Sequence, residues 1–239
     1  RLHTSAVGFA SRMWLPALAA VVVTALVLNV AYRRELRGRY VAPAPVQLSD
    51  PWLFRAAATV CVLVAPFFVS GIPVWATATA AAAVLVATFA VRSPSRLQFS
   101  LLPWKLVVLV EGLFLFVATL GVHGLDTFLG HVAGHSDSAI GVLRTAGVGA
   151  GASNVANNLP SYLALERVTD GHHDQLLGLL IGTNLGPLIL LWGSLATLLW
   201  RERCKAREIH VGAWEFARLG IVGVPLLVLV SWAALLLTR

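Results

Sequence analysis

The chain of 239 residues is 58% hydrophobic and only 12% charged, with a mean hydropathy of +0.79. A soluble domain carries about a quarter charged residues, so that class is excluded, and so is an outer-membrane barrel, whose strands alternate polar and apolar over about 10 positions. The formal charge of +7 does not indicate nucleic acid, because the basic residues fall in short loops between apolar runs rather than on one amphipathic face.

Residues 1–11 lack the charged start, apolar middle and small-residue cleavage site of a signal peptide, as expected for a piece of a longer protein. Apolar runs of about 20 residues, enough to cross about 30 Å of hydrocarbon as helix, place spans near 14–32, 53–70, 72–91, 101–123, 175–200 and 213–237. The expected fold class is an all-α polytopic bundle. Cys61 within a span and Cys204 in a basic loop have settings too different for a disulfide or metal site.

Positive charge gathers in three loops: Arg33, Arg34, Arg37 and Arg39; Arg92 and Arg96; and Arg201, Arg203, Lys205 and Arg207. The positive-inside rule puts all three in the cytoplasm. The span ending near His123 then exits outside, and the span 175–200 must run inward. A single crossing by residues 139–168 would invert the third basic loop, so this segment is expected to be a re-entrant hairpin entering and leaving from the outer face.

Its composition suits a broken hairpin. Gly147, Gly149 and Gly151 weaken the first arm, Ser153, Asn154, Asn157 and Asn158 fill the tip, and Pro160 fits the first turn of a second arm. The later span carries Gly182, Thr183, Asn184, Gly186 and Pro187 in its middle, where proline removes a helix hydrogen bond. Two interrupted elements point to a binding site near the midplane. With Ser194 added, the polar groups there are uncharged donors and acceptors, suited to a small polyhydroxyl solute or to an anion at a helix N-terminus. Single small or hydroxyl residues in membrane helices mostly serve packing; four polar side chains within six positions, Ser153 to Asn158, are costly at depth unless used.

Glu111, near the middle of its span, is a candidate proton carrier, with structural pairing as the competing reading. Lys105 and Arg144 are expected to snorkel toward opposite surfaces. His123, His131, His135, His172 and His173 fall in outer segments, where solvated histidines are commoner than ligands; no metal site, cofactor or nucleic-acid partner is expected, nor an enzyme, for want of a nucleophile–base pair or phosphate loop.

The runs Ser153-Asn154-Val155-Ala156-Asn157-Asn158-Leu159-Pro160, Gly182-Thr183-Asn184-Leu185-Gly186-Pro187 and Gly193-Ser194-Leu195-Ala196-Thr197 resemble, in order and spacing, the C-terminal half of ArsB-type arsenite permeases. The resemblance implies membership of the ion-transporter superfamily, with two inverted repeats that each hold a re-entrant hairpin and a broken helix. Residues 1–52 would be the last helix of the first repeat and a basic cytoplasmic linker, and residues 53–239 the second repeat, with the hairpin at about 139–168 and the broken helix at about 175–200. The N-terminal repeat would be missing from this chain. The implied substrate-binding set is Ser153, Asn154, Asn157, Asn158, Gly182, Thr183, Asn184, Gly186, Gly193 and Ser194, in a multi-pass protein of the cytoplasmic membrane.

The implied activity is efflux of arsenite or antimonite, driven by the proton gradient or, with an arsenite-stimulated ATPase as partner, by ATP hydrolysis. One departure stands out: Leu188, Ile189, Leu190, Leu191 and Trp192 occupy positions where the family usually carries polar and Thr-Pro residues, which makes that wall more apolar. The competing functions are a carboxylate or anion symporter of the same superfamily and a membrane subunit without a transport cycle.

Overall fold

The structure is a computed structural model that describes residues 6–38, 48–99, 102–169 and 171–239; Arg39, of the first basic loop, lies outside them. Every regular element among the described residues is helical. Five helical stretches are long and apolar enough to cross a membrane: Val7–Ala31, Pro51–Val69, Val74–Arg92, Trp104–Ala133 and Ala213–Leu237. The chain is therefore a multi-pass membrane protein. By packing it divides into one unit of residues 1–38 and 104–239 and a second of residues 39–103.

The second unit is a helical hairpin, α3 (Pro51–Val69) and α4 (Val74–Arg92); α1 and α2 belong to the first unit. Gly71 takes φ +87 in the tight turn between its arms, a conformation glycine adopts without a Cβ penalty. At the opposite end Asp50 caps α3 by accepting from Leu53 N–H at 3.0 Å and pairs with Arg92 at 2.8 Å. The Arg92 guanidinium is the main reason the Asp50 carboxyl titrates below its ordinary value, with the Leu53 N–H adding to the effect.

The first unit opens with α1 (Ala6–Ala31), followed by the short α2 (Arg33–Leu36). α1 lies antiparallel to α11 (Ala213–Leu237), joined where Thr238 donates to the Arg12 carbonyl at 2.8 Å and Ser231 to the Pro16 carbonyl at 3.3 Å. α5 (Trp104–Leu120) passes through a π-helical segment, Gly121–Leu125, into α6 (Asp126–Ala133). The sequence suggested an outer loop here; Gly124 at φ +100 instead turns the chain into a second short helix. Arg144 holds that helix from its C-terminal end, donating to the carbonyls of His131 and Val132 at 2.5 Å each. It therefore satisfies the orphan carbonyls of a helix end rather than only reaching for the membrane surface.

The centre of the unit is built from α7 (Ala139–Ala156), α8 (Asn158–Val168), α9 (His173–Leu185) and α10 (Leu195–Lys205). α7 is continuous, so its three glycines do not break it. Gly149 packs beneath Leu179, whereas Gly147 and Gly151 face open space. α8 returns alongside α7, and α9 then runs parallel to α7 at very close approach. A Cβ on Gly178 would meet the Val142 carbonyl oxygen at 2.7 Å, one on Gly182 the Ala146 carbonyl oxygen at 2.0 Å, and one on Gly186 the Ala150 Cα at 2.4 Å. The four-residue spacing on both helices stacks these contacts on one face, the small-residue packing on which membrane helices rely. Gly182 and Gly186 thus serve this seam, and α9 gives way to a 3-10 turn only at Gly186.

Candidate functional site

Asn157 alone joins α7 to α8, and its backbone (φ 73, ψ 154) lies at the edge of a region that almost only glycine occupies, at a cost of about 1–3 kcal/mol. Two bonds from the other interrupted element hold it there. Its side-chain amide donates to the Trp192 carbonyl at 2.9 Å, and the next N–H, of Asn158, donates to the Gly193 carbonyl at 2.8 Å. Pro160 stands in the first turn of α8, as the sequence suggested.

The second interruption begins with a short 3-10 turn, Gly186–Leu188, and ends where Ser194 caps α10 by accepting from Thr197 N–H at 3.1 Å. Asn154 ties it to the hairpin three ways. Its amide donates to the Gly186 carbonyl at 2.8 Å, its side-chain oxygen accepts from Leu190 N–H at 3.0 Å, and its own carbonyl accepts from the Trp192 indole at 2.7 Å. The two breaks therefore form one hydrogen-bonded element. Gly193 closes it by packing on Pro187, whose Cα a Cβ would meet at 2.8 Å.

Of the ten residues singled out, Asn154, Asn157, Asn158, Gly186 and Gly193 meet directly at this junction. Ser153 and Thr183 are buried and donate back to the carbonyls of Gly149 and Leu179, at 2.7 Å and 2.8 Å. Asn184 lies on the exposed side of α9, bonded to the Leu180 carbonyl at 2.8 Å. Glu111 is exposed on α5, and no described contact links it to the junction. Besides Thr77, Asp126 and Gln175 elsewhere, three side chains at the junction hold a buried oxygen without a partner among the described residues: Asn157, Asn158 and, one turn into α8, Ser161. Buried polar atoms are rarely left unpaired, so this trio marks where a hydrogen-bond donor belongs.

Depth follows from helix lengths. α11, with 25 residues, extends about 37 Å at about 1.5 Å per residue, whereas the 18 residues of α7 reach about 27 Å. Both start from the same end, because Trp232 donates to the Ala139 carbonyl at 2.8 Å and Arg239 to that of Asp137 at 3.0 Å. The junction, with Gly220 of α11 packed on Leu188, consequently sits past the middle of α11 measured from that end, toward the N-terminal end of α11.

The end of the unit remote from the junction is charged where the junction is neutral. Asp174 pairs with Arg12 at 2.8 Å and Arg239 at 3.0 Å, fastening α9 to α1 and α11. His172 stands at the N-cap of α9 without a capping side chain. Asp137 supplies the cap, accepting from Gln175 N–H at 3.0 Å with His172 itself 3.5 Å away. Gln175, fully buried, also bridges the Gly134 carbonyl and Thr145 at 3.1 Å and 3.0 Å. Among the described residues no three His, Cys, Asp or Glu side chains gather as a metal site would need.

Sequence reasoning missed Gln175 and the part played by Trp192. A lone uncharged amide at the start of an apolar span was the available signal for the first. An indole, the one side-chain hydrogen-bond donor in the apolar stretch 188–192, was the signal for the second.

The chain matches the family model described as Arsenical pump membrane protein (ArsB) over residues 1–237. It is 32% identical to an arsenical pump membrane protein of Yersinia enterocolitica, 30% to one of Escherichia coli and 29% to one of Escherichia coli strain K12. Each similarity covers 96% of this chain and 58% of the relative, so the chain spans little more than half their length. No solved structure matches the chain. With the paired interruptions, the family match over nearly its whole length establishes that this multi-pass cell-membrane chain belongs to the arsenical pump membrane protein family.

Proposed function

We propose that the chain forms the C-terminal repeat of a secondary transporter that extrudes trivalent arsenic or antimony as neutral hydroxides, and that the junction of the two breaks is its half of the solute chamber. The observation carrying this reading is the trio of buried, unpartnered acceptors on Asn157, Asn158 and Ser161. A trihydroxide presents O–H donors, which such acceptors take up without any fixed charge. Among the described residues no Arg or Lys side chain bonds to the junction, which favours a neutral solute over a multiply charged carboxylate. Asn154, Gly186 and Gly193 hold the two breaks together, Ser153, Thr183 and Ser194 fix the helices leading into them, and Asn184 faces the side where the rest of the protein would pack.

The proposed driving force is the proton gradient, with Glu111 relaying the proton through partners that the remainder of the protein contributes. Cells expressing the intact protein should accumulate less arsenite than cells lacking it, and a protonophore should abolish the difference. Equal accumulation in both would overturn the export reading. Export that survives the protonophore but fails on ATP depletion would replace proton coupling with a partner ATPase.

A further inference from the structure

Ser161 belongs to the junction, where it is 3% exposed and its hydroxyl has no partner among the described residues. It also lines a cavity of about 400 Å³ between α5, α6, α7 and α8, within the size range of small-molecule sites. Ser161 is the one polar side chain in that lining. Ala152 and Ala156 of α7, four residues apart on one helix face, leave a space that larger side chains would fill. The buried Val117, Leu129 and Ala164 form its floor, and the exposed Phe128 and Val155 mark its open side.

Asn158 and Ser161, three residues apart, share a face of the first turn of α8, and Ala164 continues that face along the cavity. Hydroxyl acceptors and an apolar space are therefore contiguous on one helix. A lipid tail would cover the apolar wall and leave the Ser161 hydroxyl buried without a partner, which native structures rarely tolerate. A trihydroxide would pair with Ser161 and leave the apolar space empty. A molecule with hydroxyls at one end and an apolar group at the other satisfies both.

We propose that the site takes trivalent arsenous acids in which an alkyl or aryl group replaces one hydroxyl. The remaining hydroxyls meet the unpartnered oxygens of the junction, and the organic group enters the cavity beside Ser161. This rests on the export reading above and names its substrate class. Ala152 and Ala156 then set how large a group is admitted.

The test is uptake of arsenite, methylarsonous acid and phenylarsonous acid into everted vesicles containing the intact protein, each corrected for vesicles that lack it. The half-saturating concentration should fall in that order, with phenylarsonous acid about tenfold below arsenite, a modest return for an apolar group in a fitting pocket. Ala152→Phe fills the cavity and should lower the ratio of phenylarsonous acid to arsenite uptake about tenfold. Arsenite uptake without specific uptake of either organic acid, or equal half-saturation for all three, would overturn the proposal and leave inorganic export standing. A ratio unchanged in Ala152→Phe would overturn it as well, because the organic group would then lie elsewhere. Specific uptake of none of the three would overturn the export reading and this one with it. If Ala152→Phe fails to fold, the order of the three solutes in wild type decides.

Discussion

Asn154 near the C-terminal end of α7 donates its side-chain amide to the Gly186 carbonyl across 2.8 Å, and that bond makes the two interrupted elements a single part. The same side chain receives Leu190 N–H, so one asparagine satisfies both a carbonyl and an amide freed where helix α9 unwinds. Asn154→Ala leaves the Leu190 N–H without its partner, at about 1–3 kcal/mol when buried, and the Gly186 carbonyl with Ile189 N–H at 3.2 Å. The variant should reach the membrane in reduced amount and lose arsenite export; normal abundance with normal export would contradict the bonding described. Comparing export per molecule separates the two effects.

The seam between α7 and α9 makes a sharper contrast. A Cβ on Gly182 would meet backbone at 2.0 Å, whereas one on Gly147 meets nothing within 4 Å. Gly182→Ala should therefore force the parallel helices apart and lower the melting temperature, by the equivalent of about 1–3 kcal/mol for overpacking. Gly147→Ala should be neutral or stabilising by up to about 1 kcal/mol through helix propensity. Thermal unfolding of the two purified variants in one detergent decides it.

Asp50 gives a prediction in pH. Arg92 depresses its folded-state titration below the ordinary value of 3.8, so its contribution to the α3–α4 hairpin is fully present above that value. It is lost as pH falls through the lower folded value, where the carboxylate is protonated. The melting difference between wild type and Asp50→Asn should be constant from neutral pH down to about pH 5 and shrink below about pH 4. A difference that changes between pH 6 and 8 would place the coupling elsewhere.

The apolar spans were legible in the sequence because bilayer thickness sets their length, and the polar run ending at Pro160 marked a break, which Asn157 makes between α7 and α8. Those signals act locally. They were silent on what depends on contacts distant in sequence. The glycines of α7 and α9 read as breaks, since nothing in a single helix reveals that Gly182 faces Ala146. The helix Asp126–Ala133 read as loop because its C-terminal end is satisfied by Arg144, a partner from another element. The polar cluster Ser153 to Asn158 was visible from composition, but backbone groups of Leu190, Trp192 and Gly193 complete the junction, and a backbone amide carries no sequence signal.

Glu111 lies on an exposed face of α5 in the middle of an apolar helix, where an unpaired carboxylate is costly. Glu111→Gln should leave abundance unchanged and remove the dependence of export on the proton gradient. Unaltered protonophore sensitivity in that variant would assign the proton to another group.

The central claim is that the unpartnered acceptors at the hairpin tip receive the solute, and Asn158 tests it most directly because its side-chain oxygen supports nothing else in the described structure. The measurement is arsenite uptake into everted membrane vesicles by wild type and Asn158→Ala at matched abundance. Uptake about tenfold slower in the variant, the loss expected when a solute hydroxyl is left unsatisfied at about 1.4 kcal/mol, is the predicted result. Equal rates would contradict the account.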